Sequence, residues 1–244
     1  MFDVVFKASI AKNIEEQDAN EDATSIDSSR GIFAISDGAS ESFDSQSWAR
    51  LLVSRFIEEP SISVCWVDAA RRLYERTSDF GAMSWSRQAA FERGSFATLL
   101  GAEWRENLQE LEIIAVGDSL AVHLSDADTL ESFPYRRAEE FDARPKLLST
   151  LSAANVFVAS RAFNTESCVV WPLTKQSIVL MMTDALGHWL LNTAESARSR
   201  ADLLLAANTE DAFRHLVLEQ RRIGAMRVDD TTLLVLGFDG AVAG

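Results

Sequence analysis

Five acidic sites in this chain share one unusual context. Asp37 ends the run GIFAISDG, Asp118 follows ELEIIAVGD, and Asp184 ends SIVLMMTDA, each at or just past an apolar stretch. Glu21 and Asp22 lie in NEDA, ahead of one such stretch, and Asp229 and Asp230 open another, DDTTLLVLGF. Taken singly, Asp-Gly after a strand is a turn, because glycine tolerates positive φ and Asp bonds its own backbone. Taken together, strand ends meeting on one side of a sheet edge would converge their carboxylates. Like charges so close are costly, and the response is either a raised pKa or a divalent cation. Hard oxygen donors without histidine or thiolate select Mg2+ or Mn2+ over zinc or copper. Glycine at position 38 would let a backbone carbonyl approach such an ion closely.

Strands must bring these residues together. The segments DVVFKASI, GIFAIS, SFATLLGAEW, ELEIIAV, SLAVHLSD, SIVLMMTD and TTLLVLGF are short, rich in Val, Ile, Leu and Phe, and bounded by turn residues. Helical periodicity marks SQSWARLLVSRFIEE, with Trp48, Leu51, Leu52 and Phe56 on one face, and SVCWVDAARRLYERT. NTEDAFRHLVLEQRR opens on Asn208 or Thr209 as a cap, with Glu210 and Asp211 in its first turn. Strands arrive in adjacent pairs, and DVVFKASI is expected to pair with GIFAIS and ELEIIAV with SLAVHL. Such meanders fit antiparallel sheets better than a doubly wound parallel one. Continuous apolar strands imply sheets covered on both faces. An α+β fold satisfies both observations: a four-layer α-β-β-α sandwich of two antiparallel sheets flanked by helices.

The remaining composition narrows the partners. A net charge of −14 opposes a broad nucleic-acid or anionic-membrane surface. No apolar run reaches the roughly 18 residues of a membrane span, and the first residues lack a basic segment ahead of their short apolar patch. A cytoplasmic protein is therefore expected. No repeat or Pro/Gly/Ser-rich linker divides the chain, so residues 1–244 read as one domain, with only the final DGAVAG expected to fray. Cys65 and Cys168 sit in apolar surroundings and are expected to be buried. Core is the expected place for Trp66 and Trp85 as well.

NEDA, SDGASES, GSFATLL, VGDSL, MTDALGHW and VDDTTLLVL occur in the order found in metal-dependent protein phosphatases of the 2C type. The chain resembles the compact bacterial branch carrying Asp-Gly-Ala-Ser-Glu-Ser, from about Asp3 to Phe238. The resemblance implies a hydrolase acting on phosphoserine or phosphothreonine in proteins, through water or hydroxide activated between two Mn2+ or Mg2+ ions. In that pattern Asp37 bridges the ions and the Gly38 carbonyl joins one. Asp184 and Asp229 hold the first ion; Glu21, supported by Asp22, serves the second. Asp118 matches the position that binds a third ion in some members. Asp37, Asp184 and Asp229 are thus the implied catalytic carboxylates. Asp230 stands where the family often has Asn and is placed outside the ligand set. The implied partners are a phosphorylated protein and, in bacterial signalling, an opposing Ser/Thr kinase.

Two positions depart from the resemblance. Gln17 stands where many members have an Arg that clamps the substrate phosphate, leaving Arg50 or Arg30 as the substitutes. Ala39 stands where many have a histidine acid for the leaving alkoxide, leaving Ser40, Glu41 or water for that task. These losses motivate an alternative, a catalytically weak or inactive phosphatase-fold module that binds phosphoproteins or a kinase. Gly117-Asp118-Ser119-Leu120 also spells the signature of the Gly-Asp-Ser-Leu esterases, with Asp211 and His215 as poorly spaced partners for Ser119. His188, four residues after Asp184, is expected to pack beside Trp189 rather than ligate.

Overall fold

A computed structural model describes residues 2–125, 129–193 and 196–238. The chain begins with β1 (Phe2–Ile10), β2 (Ala23–Asp27), β3 (Ile32–Ser36), α1 (Ser45–Glu58), α2 (Val64–Thr77) and α3 (Trp85–Glu92). It continues through β4 (Phe96–Ala97), β5 (Leu99–Arg105), β6 (Glu110–Val116), β7 (Leu120–Leu124), β8 (Leu130–Phe133) and β9 (Leu148–Ser149). The last elements are α4 (Arg161–Glu166), β10 (Cys168–Pro172), β11 (Ser177–Met182), α5 (Asp184–Leu191), α6 (Ala197–Ala206), α7 (Glu210–Arg222) and β12 (Thr231–Phe238).

Two five-stranded antiparallel sheets dominate, ordered β1-β12-β11-β7-β8 and β10-β6-β5-β3-β2, and β4 pairs with β9 in a small ribbon. Strand alternation builds the layers. In β12, Leu234, Leu236 and Phe238 face the other sheet, where they meet Phe33, Ile35, Leu100 and Leu111. Leu233 and Val235 face the opposite way, onto Trp189 and Leu190 of α5, Leu204 of α6 and Phe213 of α7. On the second sheet, Ile32 and Ala34 face outward onto Trp48, Leu52 and Phe56 of α1, with Trp66 and Tyr74 of α2 behind them. Both faces of each sheet are covered, which is why the central strands are apolar throughout. The α+β, four-layer α-β-β-α arrangement is as expected.

The expected strand pairings are corrected. β1 pairs with β12, and β3 with β2 and β5, so DVVFKASI and GIFAIS lie in different sheets. β6 and β7 are also split between the sheets, and Gly117-Asp118-Ser119 is the crossover joining them. Gly117 has a φ of +100°, and a Cβ there would lie 2.6 Å from Thr98 Cγ2. Only glycine makes that bend against its neighbour.

Other expectations also change. Cys65 is exposed on the outer side of α2, and Cys168, near the sheet edge, is half-buried. Trp66 is core, whereas Trp85, at the start of α3, is 84% exposed. Thr209 caps α7 through its side chain, which accepts from the Ala212 N–H. The DGAVAG tail, from Asp239, lies outside the described residues. Among the described residues no helix is long and apolar enough to cross a membrane.

Candidate metal centre

The strand ends meet at one edge between the two sheets. Asp37 leaves β3 and is fixed by its backbone: its N–H donates to Thr98 Oγ1 (2.8 Å), and the Thr98 N–H donates to its carbonyl (2.8 Å). Gly38 then bridges to Ala97 of β4. A Cβ at Gly38 would stand 3.0 Å from the Glu21 carbonyl oxygen and 3.0 Å from the Ser45 backbone carbon. The cradle leaves little room for any side chain at position 38. Asp184 opens α5 directly after β11. Asp229 precedes β12, and Arg221 of α7 holds its carbonyl while also bonding the Ala11 carbonyl (2.9 Å) and Thr231 Oγ1 (2.8 Å).

Asp37, Asp118, Asp184 and Asp229 line one cleft of about 810 Å3, together with Gly38 and the 39–44 loop. Their carboxyls disturb one another. Burial pushes Asp37 well above the ordinary carboxylate range, and the charges of Asp22, Asp184, Asp118 and Asp229 add to it. Asp184 is raised by burial and then by Asp229, and Asp229 by burial above all. Asp118 is pushed up to about 6 by burial and the Asp184 charge.

Asp22 lies deeper and is not in the cleft lining. Its Oδ2 accepts from Thr232 Oγ1 (2.6 Å) and Thr183 Oγ1 (3.1 Å), and burial pushes it up to about 8. Asp230 also lies outside the cleft lining: its two oxygens accept from the backbone N–H groups of Lys12 and Glu21 (2.7 Å each). It is a staple between three chain segments.

Glu21 is engaged differently from its implied role. Lys12 Nζ lies 2.8 Å from its Oε2, and the hydroxyls of Ser40 and Ser45 also donate to the carboxylate. These hydrogen bonds outweigh burial and hold Glu21 below its ordinary value. Lys12 was not expected at the site, because the pairing spans nine residues across a loop and has no sequence signal.

Among the described residues, no three His, Cys, Asp or Glu groups already close around a single point. The fit to a hard cation rests on other observations. Asp184 Oδ1 and Asp22 Oδ1 are buried without any hydrogen-bond partner. Such orphaned carboxylate oxygens are costly and are the donors that Mg2+ or Mn2+ takes. The raised carboxyls, Asp37 by burial and then its acidic neighbours, Asp184 by burial and then Asp229, call for the same countercharge. Asp37, Asp184 and Asp229 are the side chains that would hold an ion; the donor set contains no softer ligand.

Several expected substitutes are displaced. Gln17 is spent on β1, donating to the Ser9 carbonyl and accepting from the Ala11 N–H. Arg30 donates to the Ile57 carbonyl (2.7 Å), and Arg50 is exposed on α1; neither lines the cleft. Ser40 and Glu41 do line it. Ser119 is buried against Thr98 Oγ1 (2.8 Å), while His215 is exposed on α7, so no esterase dyad forms. The His188 ring packs edge-on to Phe141, and its Nδ1 is buried without a hydrogen-bond partner. The cleft is also lined by Arg93, Arg144 and Lys146, which sequence spacing did not mark.

No family model matches the sequence, and no curated protein matches it. Solved structures do. The photosystem II phosphatase PBCP matches with a TM-score of 0.59 at 15% identity, covering 98% of this chain and 100% of that one. The Mycobacterium tuberculosis serine/threonine phosphatase PstP/Ppp gives 0.58 at 15% identity over 98% of each chain. The PstP catalytic domain in complex with two manganese ions gives 0.57 at 16% identity over 97% of each. At these identities the likeness shows the fold, and this chain has the fold of the 2C-type phosphatases.

Proposed function

We propose that this protein is a metal-dependent phosphatase that hydrolyses phosphoserine or phosphothreonine in protein substrates. The observation that carries the reading is the convergence of three buried carboxyls, Asp37, Asp184 and Asp229, all raised above the ordinary range, in one cleft beside the orphaned Asp184 Oδ1. When bound, a pair of Mn2+ or Mg2+ ions supplies an acidified water and charge neutralisation for in-line displacement at phosphorus. The chain's own part is positioning, which is most of what phosphoryl transfer asks of a protein. The Asp37–Thr98 backbone pair and the Gly38–Ala97 bridge hold the central carboxylate in place. Asp118 serves a third cation in this reading. Residues 1–244 act as one catalytic domain, in the cytoplasm, opposite a Ser/Thr kinase.

The leaving alkoxide needs a proton. Ser40 and Glu41 reach the cleft where Ala39 supplies none. Ser40 already donates to Glu21, so Glu41 or solvent is the proton source.

A second reading, a weakened enzyme retained to bind phosphoproteins or a kinase, is favoured by one observation: Lys12 occupies Glu21. The test is Mn2+-stimulated release of phosphate from an aryl phosphate and from a phosphothreonyl peptide, with Asp37→Asn in parallel. Metal-stimulated release that Asp37→Asn abolishes supports the enzyme. Capture of the phosphopeptide without turnover supports the binding module instead.

A further inference from the structure

The cleft that holds the carboxylates is also lined by three cations, Arg93, Arg144 and Lys146, and by Phe96 and Phe157. This is a local reversal in a chain of net charge −14. Among the described residues none of the three cations forms a salt bridge, although Glu41 and Asp44 line the same cleft. The Lys146 ammonium instead stands 5.7 Å over the Phe157 ring, a contact that steadies a cation without neutralising it.

The scaffold beneath these residues is rigid. Arg144 and Lys146 run into β9, whose Leu148 carbonyl accepts from Trp48 Nε1 (2.9 Å) in the core. Arg93 leads into the Gly94–Ser95 turn, where the Ser95 N–H donates to Thr150 Oγ1 (2.9 Å).

Strand spacing fixes the offset from the reaction centre. Gly38 bridges to Ala97, and Ala97 pairs with Leu148. At about 4.8 Å per strand, the β9 backbone that Arg144 and Lys146 lead into lies about 10 Å from the backbone of Gly38. An extended peptide advances about 3.3 Å per residue, so the offset corresponds to roughly two to four residues along a substrate.

From this geometry we propose that Arg93, Arg144 and Lys146 recognise acidic side chains flanking the phosphorylated residue, making acidic phosphopeptides the preferred substrate class. The proposal rests on the phosphatase reading for its direction, since the phosphoryl group is taken to sit at Asp37. Arg93 and Arg144 offer planar forks that match a carboxylate. Partly solvated ion pairs are individually weak, and three together give about tenfold discrimination, reduced by salt.

The test is binding of non-hydrolysable phosphonate peptides to the Mn2+-loaded chain, read by fluorescence anisotropy. One peptide carries Asp or Glu two to four residues from the phosphonate, a second carries Ala there, and a third Lys. Wild type is expected to bind the acidic peptide about tenfold more tightly than the alanine peptide, and a R93Q/R144Q/K146Q variant to bind the two alike. Charge reversal, R144E/K146E, is expected to shift preference to the lysine peptide, a gain that misfolding cannot mimic. Equal binding of the acidic and alanine peptides by wild type would overturn the proposal, as would a preference surviving in the triple variant. Loss of all phosphonate affinity in the triple variant would show that these cations hold the phosphoryl group itself, and overturns it too. Hydrolysis is not the readout, so a failure of the phosphatase reading appears separately, as absent Mn2+-dependent turnover.

Discussion

Asp37 and Thr98 exchange two hydrogen bonds, each of 2.8 Å: the Asp37 N–H donates to the Thr98 hydroxyl, and the Thr98 N–H donates to the Asp37 carbonyl. The carboxylate at the centre of the cleft is therefore held through its own main chain by the start of β5. Thr98→Val keeps the shape but leaves the Asp37 N–H without its acceptor. An unsatisfied buried donor costs about 1–3 kcal/mol. Urea denaturation is expected to register that loss, and Mn2+ affinity is expected to fall about 10–100-fold, as for other residues that orient ligands. Thr98→Ser should retain most of both.

In the proposed centre, Lys12 and a divalent cation would compete for Glu21. Removing the ammonium in Lys12→Gln frees one carboxylate oxygen and takes a positive charge away from the edge. Calorimetric titration with Mn2+ is expected to show the weaker binding event strengthened several-fold. Unchanged or weaker binding would mean that Lys12 belongs to the working site.

Gly38→Ala places a Cβ 3.0 Å from two backbone atoms, of Glu21 and Ser45, neither of which moves cheaply. Overpacking of this kind costs about 1–3 kcal/mol. Because relief comes by shifting Asp37, activity is expected to fall further than thermal stability does.

The metal-free protein should grow less stable as pH rises. Asp22 is raised from 3.8 to about 8 by burial, and Asp37 and Asp184 are raised in the same direction. Between about 4 and 8 the folded chain holds protons that the unfolded chain has released, so stability falls with increasing pH across that window. In EDTA the melting temperature is expected to be higher at pH 6 than at pH 8.5, and Asp22→Asn should raise it at pH 8.5. Mn2+ should flatten the dependence by taking the protons' place.

Ala39 leaves the alkoxide without a histidine acid. An aryl phosphate, with its good leaving group, is expected to be hydrolysed disproportionately faster than a phosphoseryl peptide, by up to the roughly 10²–10⁴-fold that general acid catalysis contributes. Comparable kcat values on the two would identify a proton donor on the chain, with Glu41→Gln as the variant to examine first.

Asp37, Asp184 and Asp229 were legible in the sequence because each follows or opens a continuous apolar strand, and such strands end where the sheets end. Helices α1, α2 and α7 were legible for a similar reason, each having one apolar face. The pairing of β1 with β12 was not, since it joins residues more than 200 positions apart and local order favoured a hairpin with GIFAIS. Short edge strands such as β2 and β10, with ATSID and CVVWP, carry too few buried positions to stand out. Lys12, Arg93, Arg144 and Lys146 look like ordinary surface cations until the fold sets them around one cleft. Trp85 shows the converse, a large aromatic that composition assigns to the core and the fold leaves exposed.

The central claim is that these strand-end carboxylates hold divalent cations. Calorimetric titration of the EDTA-stripped chain with Mn2+, alongside Asp37→Asn and Asp184→Asn, tests it most directly. Uptake by the wild type that weakens at least 100-fold in both variants is the predicted result. Equal uptake by all three chains, or none by the wild type, would contradict the account.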